Sequence, residues 1–160
     1  MASSKAQTQK KSEIVSLLQQ QVANAVVIYL NYKHYHWQVY GPHFRDLHLL
    51  FDEFAKQTLE TIDDFAERIR MIGEDPSSDP NQILKTTSVK VATQRQNLRA
   101  MIEEADQNTI KLIVEMREAG RLADDVGDIG TVDLFSRIVQ VYEKQEWYLR
   151  DILKKDDQLS

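Results

Sequence analysis

Residues 43–72 read HFRDLHLLFDEFAKQTLETIDDFAERIRMI. Within this stretch Phe44, Leu47, Phe51, Phe54, Thr58, Ile62, Phe65 and Ile69 recur at steps of three and four, the spacing that lays apolar side chains along one face of a bundled helix. Beside that stripe, and not opposite it, lie two i,i+4 pairs of hard-metal ligands, His48 with Asp52 and Asp63 with Glu67. Either pair alone is ordinary on a solvated helix face. Their separation is informative: the eleven steps from Asp52 to Asp63, at about 100° each, bring the chain back to within ~20° of the same face but ~16 Å further along the axis. The four groups share a face and cannot share an ion.

They converge when a second copy of the helix packs antiparallel. The numbers 48 and 67, and 52 and 63, both add to 115, so one two-fold axis at the level between Gln57 and Thr58 brings His48 to Glu67 and Asp52 to Asp63. Ala55 and Leu59, between the pairs on that face, read either as a small apolar seam of an isologous dimer or as an extension of the bundle core. The turn at Gly41-Pro42 is centred halfway between 36 and 48, so a hairpin there folds His36 against His48. His36, His48, Asp52, Asp63 and Glu67 form a mixed nitrogen and oxygen set that suits iron or zinc and leaves room for a substrate ion and an oxidant.

Working outward, the helix breakers cluster at Gly41-Pro42, Gly73 to Pro80 and Gly120 to Gly130, and the segments between them carry helical periodicity. The first helix is expected from about Ser12, as N-cap with Glu13 behind it, to about Tyr40; its inward stripe is Leu18, Val22, Ala25, Tyr29, Tyr32 and His36. The second is the stretch from His43 to Ile72. From Glu74 to about Lys90 the chain reads as a crossover, with Asp79 as N-cap and Pro80 at N1 of a short helix. A third long helix follows through Leu98, Met101, Ile102, Ala105, Thr109, Leu112, Ile113 and Met116, and a fourth through Val132, Phe135, Val139, Tyr142, Leu149 and Ile152. The expected fold is all-α: a ferritin-like four-helix bundle whose long crossover between helices two and three carries a short helix, since an up-down bundle needs only short loops. The domain is expected over 12–155, between a flexible basic tail at 1–11 and a short C-terminal tail at 156–160. There is no internal repeat and no low-complexity segment.

A chain of 160 residues has the size of one domain. It has no cysteine, which removes disulfides, thiolate metal sites and cysteine nucleophiles and leaves His, Asp and Glu to hold any metal. No apolar run reaches membrane length, so no membrane partner and a soluble, cytoplasmic protein are expected. Net charge is −5; Lys5, Lys10 and Lys11 give the first eleven residues +3 with no acid, and −5 less +3 leaves −8 on the remainder. Because nucleic-acid affinity comes mainly from neutralising phosphates, this acidic body is a poor DNA surface and only the tail helps. Glu-x-x-His motifs, which an intrasubunit di-iron site requires, are absent, as are a Gly-rich phosphate loop, a nucleophile elbow and a zinc-protease motif.

At His36-Trp37, Gly41 to Phe44, Leu47-His48, Phe51-Asp52-Glu53 and Asp63 to Arg68 (Asp-Asp-Phe-Ala-Glu-Arg), the chain resembles the Dps family, the mini-ferritins also called DNA-binding proteins from starved cells, along essentially its whole length. The resemblance implies a ferroxidase that stores iron in a hollow homododecamer, with sites at two-fold interfaces. It assigns His36, His48 and Asp52 to one subunit and Asp63 and Glu67 to its neighbour. It implies hydrogen peroxide, or oxygen, as oxidant, so that oxidative damage is limited, with iron in the site; zinc, which suits the same nitrogen and oxygen set, is expected as a surrogate. It gives Trp37 the task of intercepting stray oxidising equivalents. His34 and His43 match no family ligand, and His34, ~200° from His36, is expected to face away. Family pores fall where Asp124, Asp125, Asp128 and Asp133 stand. Asp128 and Asp133 are the pore candidates, with Asp133 readable equally as a first-turn acid. The alternative function is a nucleoid-associated protein that binds and protects DNA, its iron chemistry secondary; three tail lysines against an acidic shell make weak DNA binding the expectation.

Overall fold

The structure, a computed structural model, describes the backbone of residues 2–154 and the side chains of residues 9–154. Among the described residues there are five helices and no strand: α1 Ala2–Gln38, α2 Phe44–Met71, α3 Pro80–Thr86, α4 Leu98–Asp125 and α5 Ile129–Leu153. The four long helices make the bundle and α3 rides on the crossover. Asp79 caps α3 as its spacing predicts, accepting from the Asn81 N–H at 2.9 Å with Pro80 at the first helical position. Gly41, at φ +81°, supplies the left-handed residue of the turn between α1 and α2.

Ser12 is not an N-cap. α1 begins at Ala2, and Ser12 sits inside it, its carbonyl accepting from the Ser16 hydroxyl at 3.0 Å. No Gly or Pro stands between Ala2 and Ser12, so nothing stops the helix from propagating through the segment read as a tail. Among the described side chains, the first buried one is Ile14. Residues 156–160 lie outside the described residues.

Cross-helix pairs give the register. Tyr35 with Glu104, Tyr32 with Thr109 and Asn24 with Glu115 set α1 antiparallel to α4. Gln57 with Gln145, Thr61 with Tyr142 and Arg68 with Thr131 do the same for α2 and α5. Since α1 and α2 are joined by a tight hairpin, α2 and α4 run parallel, and the chain must travel the bundle's length between them. Side-chain amides strap that crossover down. Gln19 exchanges bonds with the Ser77 backbone, Asn24 accepts from the Ser88 N–H, and Asn31 accepts from the Ala92 N–H while donating to the Lys90 carbonyl. A crossover over a buried helix face needs such partners for its backbone.

The core follows the stripes, with Leu18, Tyr32, Phe51, Phe54, Phe65, Met101, Leu112, Met116, Tyr142 and Leu149 all buried. The reading departs at its edges: Phe44 is 46% exposed and Ile152 41% exposed. Ala55 and Leu59 part company, Ala55 being buried in the bundle and Leu59 51% exposed. A step of four advances about 40° round the helix, enough to carry Leu59 off the core face.

Candidate metal centre

His36, near the end of α1, and His48, in the second turn of α2, are brought together by the Gly41 hairpin. Their rings stack with centroids 3.7 Å apart and planes inclined by 22°. The Nδ1 of His36 lies 2.7 Å from the His48 carbonyl oxygen, and the Nδ1 of His48 lies 2.9 Å from the His36 carbonyl oxygen. A carbonyl only accepts, so each Nδ1 carries a proton, and in the neutral ring each Nε2 keeps its lone pair. That is the tautomer a metal-binding histidine adopts when its other nitrogen donates to a backbone oxygen. Phe44 stacks on His48 at 5.0 Å, which accounts for an aromatic left half outside the core.

Asp52 lies one turn beyond His48. Its Oδ1 accepts from Lys33 Nζ and its Oδ2 from Lys56 Nζ, each at 2.8 Å. The hydrogen bond from Lys33, then that from Lys56, holds the carboxyl well below the usual carboxylate range. Sequence reading missed both lysines. Lys56 is visible as an i,i+4 partner of Asp52, whereas Lys33 faces Asp52 only through the same hairpin register that pairs 36 with 48. Trp37, beside His36, is 68% exposed, with Lys33 Nζ 5.9 Å from its ring.

Asp63 and Glu67 lie exposed further along α2 and have no hydrogen bond or ion pair within the chain among the described residues. Among the described residues no three His, Asp or Glu side chains of one chain stand close enough to hold a metal ion. One chain therefore brings His36 and His48 together, leaves Asp52 one helical turn away in ion pairs with Lys33 and Lys56, and leaves Asp63 and Glu67 apart. His34 is half-buried with a ring nitrogen 3.2 Å from the Gln94 carbonyl oxygen, turned to the crossover; His43 is exposed at the start of α2.

At the α4–α5 corner Asp124 and Asp125 are exposed. Asp128 is the N-cap of α5, accepting from the Thr131 N–H at 3.1 Å, from the Thr131 hydroxyl at 2.6 Å and from Arg68 Nη2 at 2.5 Å. Burial pushes its carboxyl up, but the Thr131 bonds and the Arg68 charge outweigh that and leave it lowered. Asp133 pairs with Arg137 Nε at 3.0 Å. It is not a first-turn acid, because α5 starts at Ile129 and puts Asp133 in the second turn.

The bundle with its long crossover belongs to the ferritin-like class, and residues 15–159 match the Ferritin-like domain family. The chain is 33% identical over 141 residues to General stress protein 20U of Bacillus subtilis, covering 88% of this chain and 97% of that protein. It is equally 33% identical over 141 residues to the DNA protection during starvation protein of Brevibacillus brevis, covering 88% and 95%. Its fold matches the X-ray structure of Dps from Thermosynechococcus elongatus with a TM-score of 0.94 at 44% identity, covering 96% of this chain and 98% of that one. The chain belongs to the Dps family of ferritin-like proteins. No helix among the described residues is long and apolar enough to cross a membrane.

Proposed function

We propose that this protein is a ferroxidase and iron-storing mini-ferritin that takes ferrous iron as substrate, oxidises it with hydrogen peroxide and keeps the ferric product inside a homododecameric shell. The observation that carries the reading is the reciprocal pair of Nδ1 bonds between His36 and His48, which holds two imidazoles with both Nε2 lone pairs unspent. His36, His48 and Asp52 supply one half of the centre, and Asp63 and Glu67 of a second copy supply the other. Two ferrous ions give up one electron each, and the peroxide O–O bond takes both electrons and leaves as two hydroxides. Trp37, exposed next to His36, takes up oxidising equivalents that escape. Cations enter at the α4–α5 corner, where Asp133 is a pore residue beside Asp124 and Asp125. Asp128 contributes charge there while it caps α5.

Stopped-flow oxidation of ferrous iron, with peroxide and with oxygen in parallel, tests this. His48→Ala and Asp52→Ala each remove one ligand and strand its neighbours, so both should slow oxidation strongly. Unchanged rates would return the two residues to a surface pair. A second reading, DNA protection, is favoured by the name of the Brevibacillus brevis relative and by Lys5, Lys10 and Lys11 at the start of α1. Shells that retard plasmid at physiological salt while leaving ferrous iron unoxidised would put that reading first.

A further inference from the structure

His48 is the middle ring of three. Its imidazole stacks on His36 with centroids 3.7 Å apart and planes inclined by 22°, and on Phe44 at 5.0 Å and 27°. Two rings that close would overlap each other if they shared one face, and His36 and Phe44 form no ring pair among the described residues, so they cover opposite faces of His48. Local geometry puts Phe44 there. It is the first residue of α2, and its N–H donates to the Gly41 carbonyl at 3.0 Å. Residues four apart on a helix are neighbours, the later side chain leaning back over the earlier. Phe44 is 46% exposed, so burial in the core does not account for a ring at this position. The side chain of His48 has one hydrogen bond, from Nδ1 to the His36 carbonyl oxygen at 2.9 Å. A single bond fixes a distance and leaves the ring free to rock about it, and the torsion between Cβ and an imidazole has a broad well. Two stacked rings remove that freedom, because the imidazole cannot turn without driving its edge into one of them.

We propose that Phe44 is a positioning residue of the metal centre, its ring closing the second face of His48 and so fixing the line along which Nε2 meets an incoming ferrous ion. The inference rests on the ferroxidase reading. Phe44 touches neither iron nor oxidant and acts through His48 alone. What it supplies is a flat face: an aliphatic chain covers the imidazole but leaves it room to tilt. A ligand that must be reoriented gives up its rotational freedom when the ion binds, whereas one already held loses little. The two histidines differ in this respect. His36 is stacked by His48 alone among the described residues and has the shorter Nδ1 bond, 2.7 Å; His48 has the longer bond and the second ring. Because Phe44 acts on binding and not on electron transfer, loss of its ring should raise the ferrous concentration that gives half-maximal oxidation and leave the saturated rate close to wild type.

The test is a calorimetric titration of the assembled full chain with cobalt(II), without oxidant, since cobalt(II) takes the same nitrogen and oxygen donors. Phe44→Leu should weaken binding about tenfold, the lower end of what outer partners of a metal-bound imidazole contribute. Phe44→Tyr keeps the ring and should bind as wild type does, a rescue that a merely space-filling role does not require. An assembled Phe44→Leu that binds cobalt(II) as tightly as wild type overturns the role, and so does a Phe44→Tyr as weak as Phe44→Leu. If Phe44→Leu does not assemble, Phe44→Met decides on the same criteria, because a flexible apolar chain fills the space without a flat face. His48→Ala separates this inference from the reading it rests on. Wild-type cobalt(II) binding that survives His48→Ala overturns the metal centre and the role of Phe44 together. Binding that His48→Ala abolishes and Phe44→Leu leaves intact overturns the role of Phe44 alone.

Discussion

His36 and His48 hold each other's backbone: each imidazole Nδ1 donates to the other residue's carbonyl oxygen, at 2.7 and 2.9 Å, across rings stacked 3.7 Å apart. The arrangement spends one nitrogen of each ring on fixing its orientation and leaves the other for chemistry. It also ties α1 to α2 near the hairpin turn, so the two imidazoles proposed as ligands are oriented by the fold itself, the condition for a centre held to sub-ångström tolerance.

Complementation tests the shared centre most directly. One variant loses His48 and Asp52 and the other loses Asp63 and Glu67, so each homomeric shell lacks half of every site and is expected to be inactive. In a mixed two-fold dimer one site combines both lesions, but the other takes all its ligands from intact halves. Co-refolded shells should recover a fraction of wild-type oxidation, up to about one site per mixed dimer. Mixed shells, verified by mass spectrometry, that stay as inactive as their parents would rule out the intersubunit centre.

Lys33 and Lys56 occupy both oxygens of Asp52 in the single chain, each at 2.8 Å, so an incoming ferrous ion competes with two ammonium groups. Lys33→Gln should therefore tighten ferrous binding in an anaerobic titration. Lys56→Gln should do less, because the Lys56 side chain is 75% exposed and its charge is more screened. Weaker binding in Lys33→Gln would mean that Lys33 chiefly orients Asp52.

Removal of residues 1–11 should leave iron oxidation intact and reduce any retardation of DNA. Among the described side chains of α1 the first buried one is Ile14, no proposed ligand lies in the deleted segment, and Lys5, Lys10 and Lys11 go with it. A correctly assembled deletion that fails to oxidise ferrous iron would count against the ligand map.

Asp128 ties the start of α5 to Arg68 of α2. Asp128→Ala should lower the unfolding free energy by about 1–2 kcal/mol through the lost cap, and Asp128→Asn by less, since Asn still caps. The carboxyl is held below the ordinary aspartate value of 3.8. Its stabilisation is therefore complete above that value and is lost as pH falls through the lowered native value. Urea midpoints followed downward from pH 5, at one protein concentration, should fall more steeply for wild type than for Asp128→Asn; parallel curves would remove this account.

Much of the fold was legible. The three-and-four stripe of α2 named six side chains that are buried, Leu47, Phe51, Phe54, Thr58, Phe65 and Ile69, and Asp79-Pro80 marked the start of α3. The start of α1 was not legible, because a serine followed by a glutamate looks like a cap wherever it occurs and only the absence of a breaker upstream argues otherwise. Nor were the amides of Gln19, Asn24 and Asn31, which read as polar interruptions until the crossover supplies backbone for them to bind.

By itself the sequence determined the periodicity, the hairpin at Gly41 and the placement of His36, His48 and Asp52 within about three turns of it, because each is a matter of local helical geometry. Tertiary structure alone decided that Lys33 and Lys56 hold Asp52, that both histidines present Nε2, and that Tyr35 donates to Glu104 on another helix. Those relationships depend on which rotamers and which facing residues survive packing, and hydrogen bonds have a reach of about 3 Å. Helical periodicity places a residue on a face and leaves its partner within that distance undetermined.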